Sequence, residues 1–284
     1  MMAKKLNFFL CSINIIPSVL HPAEPDPFSP IKMLEQAIIE NGSFLAEGEN
    51  LILFGNLVLD SQKTLKSGKI GIQRKRSKDS VNEEGFFKEE DVDYPNVYFV
   101  WDRERQHILI DKKVESKLKK ITRFCLLLKS AFEGRFPQFQ FHIGVVTEKE
   151  SLWKRITEII DSGAKVSRIS FHLFAPNMLG KTDEDIREFL NNSKENIAMQ
   201  ETAITFQGDK KRGLNIYPDL NNTTMTTIRA LDRTASRTGG QWRLRDTHGK
   251  SHRSTDHFKV ISTEVKEVQV IEDANEILNN YFDD

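Results

Sequence analysis

The sequence predicts an α+β fold with mixed sheets, two hairpins and a central strand–helix–strand unit. Runs with strand periodicity and runs with helix periodicity follow one another irregularly over the 284 residues. Two polar turns, DRERQ and DKKR, each separate a pair of apolar-rich runs, which is the pattern of a β-hairpin. Between them, the strands FQFHIGVV and KVSRISFHLFAP flank one helix. We expect these two strands to pair in parallel through a right-handed crossover.

The elements of the first half follow from local patterns. Residues 6–16 are rich in Phe and Ile with polar residues between them, which predicts a strand rather than a cleaved secretory signal. Pro30 can begin a helix that Gly42 ends. LILFGNLVLD and KIGIQRKR predict strands, and NVYFVWDRERQHILIDKK predicts the first hairpin. A long helix is expected from about Val114 to Gly134.

The second half alternates in the same way. After the strand–helix–strand unit, TDEDIREFLNN predicts a helix capped by Thr182. AMQETAITFQG and GLNIYPD predict the second hairpin. TTMTTIRALDRTASRT predicts a helix, QWRLRD and HFKVISTEVKEVQV predict strands, and an acidic helix ends the chain. The length allows an N-terminal region 1–135 and a C-terminal region 136–284, or one domain.

Composition excludes several classes of protein. The 41 Lys and Arg balance the 41 Asp and Glu, so the chain is not basic throughout. Two cysteines exclude a disulfide scaffold, and Cys11 and Cys125 sit among apolar neighbours, as core residues do. No apolar run approaches the roughly 20 residues of a membrane-spanning helix. We therefore expect a cytoplasmic, reduced protein that does not bind a membrane.

The zero net charge is a sum of opposed blocks. Residues 63–78 hold seven Lys and Arg and no acid, whereas residues 79–93 hold seven acids and one Lys. Such mirror-image blocks are typical of a solvated loop whose halves attract each other, so a mobile charged loop is predicted at 63–93.

Segment 228–259 carries the main candidate site, with eight Lys and Arg against three acids. On the predicted helix, three arginines lie on the flank opposite the apolar face, and in QWRLR two arginines alternate with Trp242 and Leu244. Guanidinium groups at these spacings suit contact with a phosphate backbone. The predicted nucleic-acid-binding residues are Arg229, Arg233, Arg237, Arg243, Arg245, Lys250 and Arg253. Two alternatives remain: the acidic tail after residue 260 neutralises these groups, or they face a partner protein.

A second hypothesis is a Mg²⁺-dependent nuclease of the restriction type. Asp219 ends one predicted strand, and Glu264 with Lys266 lies in another, which matches an acid…acid-x-Lys pattern. Two carboxylates would hold Mg²⁺ and the lysine would orient the attacking water. The simpler interpretation is a turn aspartate and an exposed pair of strand charges.

Other enzyme signatures are absent from the sequence. His142 and His172 occupy matching places on their strands, as in two-histidine phosphoesterases, but that chemistry needs a hydroxyl residue two positions after each histidine. Gly144 and Phe174 stand there instead. There is no phosphate-binding loop, nucleophile elbow or zinc spacing. We therefore expect no catalytic residues, no metal and no cofactor. Only the nuclease hypothesis would require Mg²⁺.

The hairpin, helix and strand–helix–strand between residues 94 and 177 are similar in element order to the RexA-type phage-exclusion proteins of lambdoid prophages. The resemblance implies a DNA-binding or sensing component of a phage-defence system. The arginine-rich segment lies outside the matched stretch, so no site residue follows from it. The partners we expect are DNA or RNA, a second copy of the chain in a homodimer, and a protein from the same operon.

Overall fold

The computed structural model describes residues 4–17, 30–82, 85–148, 151–174, 201–218, 220 and 222–265. They have the expected mixed α+β architecture and form two compact units. The first unit takes its described residues from Met1–Phe8, His21–Gln140 and Ile261–Asp284, and the second from Phe9–Leu20 and Phe141–Val260. The chain thus enters each unit more than once.

The larger sheet, in the first unit, has the strand order β14-β1-β8-β7-β4-β3-β2. The expected hairpin is confirmed, since β7 and β8 pair antiparallel with Asp102 opposite His107. The first part of β1 belongs to this unit and the rest continues into the second unit. The strand bounds are β1 Lys4–Pro17, β2 Ser43–Ala46, β3 Asn50–Leu59, β4 Leu65–Ile72, β7 Asn96–Asp102, β8 His107–Asp111 and β14 Val260–Val265.

Helices α1 (Pro30–Asn41) and α3 (Ile121–Arg135) complete the core of the first unit. Phe44, Phe54 and Phe132 form edge-to-face and stacked ring pairs where α3 packs on the sheet. Glu35 of α1 is buried, and its carboxylate accepts hydrogen bonds from the backbone N–H of Leu65 (3.0 Å) and from Nε1 of Trp101 (3.3 Å). The expected burial of Cys11 and Cys125 as free thiols is confirmed.

The long helix expected from Val114 to Gly134 is instead two helices. The short α2 spans Val114–Lys117, and Leu118 then leaves helical geometry with φ −114° and ψ −88°. The backbone N–H groups of Leu118 and Lys119 both bond to the carbonyl oxygen of Val114, which closes α2 and lets α3 start afresh at Ile121. The break buries both Leu118 and Ile121.

The segment predicted as a mobile loop at 63–93 is built of strands. After β4, strands β5 (Arg74–Asn82) and β6 (Gly85–Asp93) form an antiparallel two-stranded ribbon. The expected attraction between the two charge blocks is present, because Arg76 and Asp93 form a 2.7 Å ion pair. The basic and acidic halves therefore pair as strands rather than as a loop.

The second unit contains a four-stranded antiparallel sheet with the order β11-β10-β12-β13. One face of this sheet packs against a core that includes residues of α4 and α5, among them Leu152 and Ile228. The remainder of β1 pairs with β9. The bounds are β9 Phe139–Val145, α4 Ser151–Asp161, β10 Val166–Phe174, β11 Glu201–Gln207, α5 Thr223–Thr238, β12 Gln241–Asp246 and β13 Ser251–Arg253.

Two expected pairings in this unit are wrong. Strand β9 pairs with β1, whereas β10 pairs with β11 and β12, so the strand–helix–strand unit has no parallel pairing. In the second hairpin, β11 is present, but its partner strand is reduced to a bridge between Asp209 and Gly213. The chain after Gly213 instead turns towards β10, where the N–H of Leu214 bonds to the carbonyl oxygen of Val166 (2.6 Å). The predicted helix at Thr182 lies outside the described residues.

A close backbone approach fixes the end of α5. The helix ends at Gly239, whose φ of +70° is the left-handed conformation that glycine adopts readily. A Cβ atom on Gly240 would lie 2.5 Å from the carbonyl oxygen of His172, and one on Gly144 would meet the carbonyl oxygen of Gly239. Side chains are therefore excluded where α5 ends and β12 begins.

No helix of the described residues is long and apolar enough to cross a membrane.

Stability of the first unit should depend on the protonation of His107. Burial lowers the pKa of this side chain from 6.5 to about 4, although the charge of Asp102 opposes the shift. Between these pH values the unfolded chain binds a proton that the folded chain does not, so the free energy of unfolding falls as the pH falls. We expect a loss of about 2 kcal/mol from about pH 7 to about pH 5 in urea unfolding. His107→Phe should lose less, and equal losses in both proteins would contradict the assignment.

Candidate nucleic-acid interface

The outer side of the four-stranded sheet carries the arginines of the candidate site. Along β12, Trp242 and Leu244 are buried whereas Arg243 and Arg245 are exposed, which confirms the predicted alternation. Strand β13 follows the same rule, with His252 buried between exposed Ser251 and Arg253. A strand with one buried face must project its other side chains outward. The core of the second unit therefore sets the direction of these guanidinium groups.

Cross-strand register gathers four arginines into two rows. In the first row, Arg168 of β10 lies opposite Arg245 of β12, and in the second, Arg243 lies opposite Arg253 of β13. All four side chains are exposed. We call these four residues the arginine face. Neutral polar residues extend both rows onto neighbouring strands, namely Ser170, Thr205, Gln207 and Ser251.

The arginine face brings like charges together. Both of its cross-strand pairs join arginine to arginine, and like charges directly opposite each other destabilise a sheet. Within the described part of the chain, none of the four forms an ion pair. Arg168 donates a hydrogen bond to the neutral side chain of Gln207 (2.6 Å). The positive charge of the face is thus uncompensated by acids among the described residues.

One end of the same sheet adds further cations. The turn after β11 and the turn between β12 and β13 both meet the start of β10, where Lys165 and Thr247 exchange hydrogen bonds of 2.8 and 3.1 Å. The exposed cations of these turns and of the start of β10 are Lys165, Lys210, Lys211, Arg212 and Lys250, which we call the basic rim. Asp209 is an exposed acid in this region, and its carboxylate accepts hydrogen bonds from the N–H groups of Arg212 and Lys211, which lower its pKa.

A buried contact between Asp246 and His252 shapes the turn that presents Lys250. The carboxylate of Asp246 accepts a hydrogen bond from the backbone N–H of Lys250 (2.8 Å) and lies 3.2 Å from Nε2 of His252. Burial acts to raise the pKa of Asp246, but the hydrogen bonds from His252 and Lys250 outweigh it, so the pKa lies below its usual value. A charged Asp246 on the inner side of β12 thus holds the turn without placing an acid on the arginine face.

Arg229 does not belong to this surface. Its side chain is half-buried, and its Nη2 atom donates hydrogen bonds to the carbonyl oxygens of Pro218 (2.6 Å) and Leu220 (3.1 Å). The guanidinium group also lies 5.7 Å from the ring centroid of Trp153, a cation–π contact. These contacts hold the chain that leads into α5. The structure therefore gives Arg229 a structural role, and its contact with phosphate stays a prediction.

The predicted arginine stripe on α5 is also narrower than expected. Arg233 is exposed, but Asp232, Thr234 and Ser236 around it are buried. The helix is enclosed on a second side, where Thr147 donates a hydrogen bond to Ser236 (3.3 Å). The side chain of Arg237 lies outside the described residues. Among the described residues of the second unit, the sheet therefore exposes more arginines than α5 does.

The nuclease hypothesis depends on three residues whose side chains the structure does not describe. Asp219 and Lys266, and the side chain of Glu264, lie outside the described residues. No group of three or more His, Cys, Asp or Glu side chains that could hold a metal ion occurs in the described ranges. His142 on β9 and His172 on β10 belong to different sheets, so the condition that would bring the two imidazoles together is not met.

Sequence reasoning missed part of the surface. Arg168 lies on β10 among the residues that alternate with Ile169 and Phe171, so the period of two could have placed it on the outer face. Of the basic rim, the sequence predicts only Lys250, because the other members lie in segments that are far from it in the chain. Only the strand order brings Lys210 and Lys250 to the same end of the sheet.

Replacing Arg229 or Arg243 by methionine should distinguish an arginine that stabilises the fold from one that does not. Arg229→Met should lower the free energy of unfolding by about 1–2 kcal/mol, because two carbonyl oxygens lose their donor. Arg243→Met should change it by less than about 0.5 kcal/mol, since the side chain is exposed and faces another arginine. Urea unfolding of the two variants checks the difference. Equal stabilities would contradict the role given to Arg229.

Comparison of the chain with protein-family models, with curated proteins and with solved structures finds no match. The candidate interface therefore rests on the geometry of the arginine face and the basic rim.

Proposed function

We propose that the chain binds nucleic acid in the cytoplasm through the arginine face and the basic rim, and that it acts as a non-enzymatic binding component. The observation that carries the proposal is the register that places arginine opposite arginine twice across β10, β12 and β13. Uncompensated like charges cost stability, and a polyanion seated on the face would remove that cost.

The residue types on the face suit a phosphate backbone. Guanidinium groups donate in a planar fork that matches phosphate oxygens, and lysines at the rim add point charges. Between the arginines, Ser170, Thr205 and Gln207 offer neutral donors and acceptors for sugar and phosphate oxygens. This chemistry fits DNA and RNA alike.

Neutralising the face should weaken nucleic-acid binding. The triple variant Arg243→Gln/Arg245→Gln/Arg253→Gln removes three phosphate contacts and keeps hydrogen-bonding side chains. We expect at least a tenfold weaker affinity and a salt dependence, log K against log salt, that is flatter by about 2–3. Fluorescence anisotropy with a labelled oligonucleotide over a series of salt concentrations measures both quantities.

A charge-matched control lies in the first unit. Lys119, Lys120 and Arg123 are exposed, and replacing all three by Gln removes the same charge from another surface. This control should retain wild-type affinity. Equal weakening in both triple variants would mean that total charge, rather than the arginine face, governs binding. Unchanged binding by the folded face variant would overturn the proposal and leave a protein-interaction module. Cleavage of the oligonucleotide when Mg²⁺ is added would favour the nuclease hypothesis.

We further propose that this binding serves defence against phages, on the ground of the RexA-type element order between residues 94 and 177. Bacteria that express the chain, together with the neighbouring gene of its operon, should form fewer plaques when challenged with a panel of phages. The triple variant of the arginine face should lose this protection at equal expression. Protection that survives in the triple variant would separate defence from nucleic-acid binding.

A further inference from the structure

We infer that the nucleic acid bound by the arginine face is single-stranded. This inference rests on the proposed function and adds the class of nucleic acid to it. It follows from the width of the surface, from the placement of its arginines and from the chemistry of the groups between them.

The face is too wide to enter a groove of duplex DNA. Neighbouring strands lie about 4.8 Å apart, so the four strands from β11 to β13 span about 14 Å between their axes. The major groove is about 12 Å wide and admits a helix or a two-stranded ribbon. Strands β12 and β13 do not form a separate ribbon, because β12 also pairs with β10. A duplex could therefore meet the face only with its outer phosphates.

The arginines are spread in two dimensions rather than along a line. Arg245 of the first row and Arg243 of the second are two residues apart on β12. The two rows are therefore about 7 Å apart along the strand. The phosphates of a duplex follow stiff, curved paths, so a broad face touches few of them at once. A single strand rotates freely about its backbone bonds and can bend to follow both rows.

The groups on the face also suit unpaired bases. Guanidinium planes stack on bases that have left a duplex, and Arg–base stacking adds to phosphate attraction in single-strand binding. Gln207 and Ser170 lie beside the arginines and can bond to exposed base edges. None of the outward side chains described on β10–β13 is Phe, Tyr or Trp. We therefore expect tolerance of base sequence, with affinity dominated by phosphate contacts.

The test compares strands of one length in three forms: an oligo(dT), an oligo(U) and a blunt DNA duplex, each labelled, with anisotropy as the readout. Wild-type protein should bind at least one single strand tenfold or more tighter than the duplex. Arg168→Gln/Arg245→Gln and Arg243→Gln/Arg253→Gln, which each remove one row, should both weaken single-strand binding. Lys119→Gln/Lys120→Gln in the first unit is the control with the same charge change.

The outcomes separate the two levels of the proposal. Preference for oligo(dT) or for oligo(U) supports the inference and identifies the sugar that is favoured. Equal or tighter binding to the duplex, still lost in both row variants, overturns the single-strand inference and leaves the proposed function intact. Single-strand binding that neither row variant weakens overturns both. Circular dichroism of each variant establishes that a lost affinity is not a lost fold.

Discussion

The period of two along β10 and β12 ties the core of the second unit to its charged surface. Burial of Phe171, Trp242 and Leu244 on one side places Arg168, Arg243 and Arg245 on the other. A slip of one residue would exchange the two sets and bury guanidinium groups without partners. Because each such burial costs several kcal/mol, the register that satisfies the core is also the one that displays the arginines.

Helix α5 packs against the inner face of this sheet. The helix presents Ile228 and Leu231 to the core, and its two flanks bury Thr234 and Ser236. The glycines at its end allow direct backbone contact with Gly144 and with β10. Among the described residues, Arg233 is the exposed arginine of this helix, whereas the outer side of the sheet displays four. The proposed function therefore assigns phosphate contact to the sheet.

The parts of this molecule that could be predicted from sequence are those that depend on local period. Alternation in QWRLR placed Arg243 and Arg245 correctly, and the turn DRERQ predicted the first hairpin. The contacts of Arg229 with Pro218 and Leu220 could not be predicted, because a helical projection finds the apolar face of α5 and not the loop that packs beside it. The pairing of Arg168 with Arg245 and the gathering of the rim depend on strand order, which no local pattern contains. The polar residues of segment 63–93 hide its strand periodicity, so the sequence predicts a loop there.

Residues that lie opposite each other carry opposite charges in the β5–β6 ribbon and like charges on the arginine face. This difference bears on function more than the total charge does. In the β5–β6 ribbon, residues of opposite charge lie opposite each other: the register pairs Arg74 with Asp93 and Arg76 with Asp91, and Arg76 also forms the ion pair with Asp93. Such pairs contribute roughly 0.2–1 kcal/mol each. On the arginine face the same kind of position carries like charges instead. A stable sheet needs no such arrangement, and a glutamate in place of Arg253 would relieve the row that pairs Arg243 with Arg253. The repulsion supports the proposal that the face binds a polyanion.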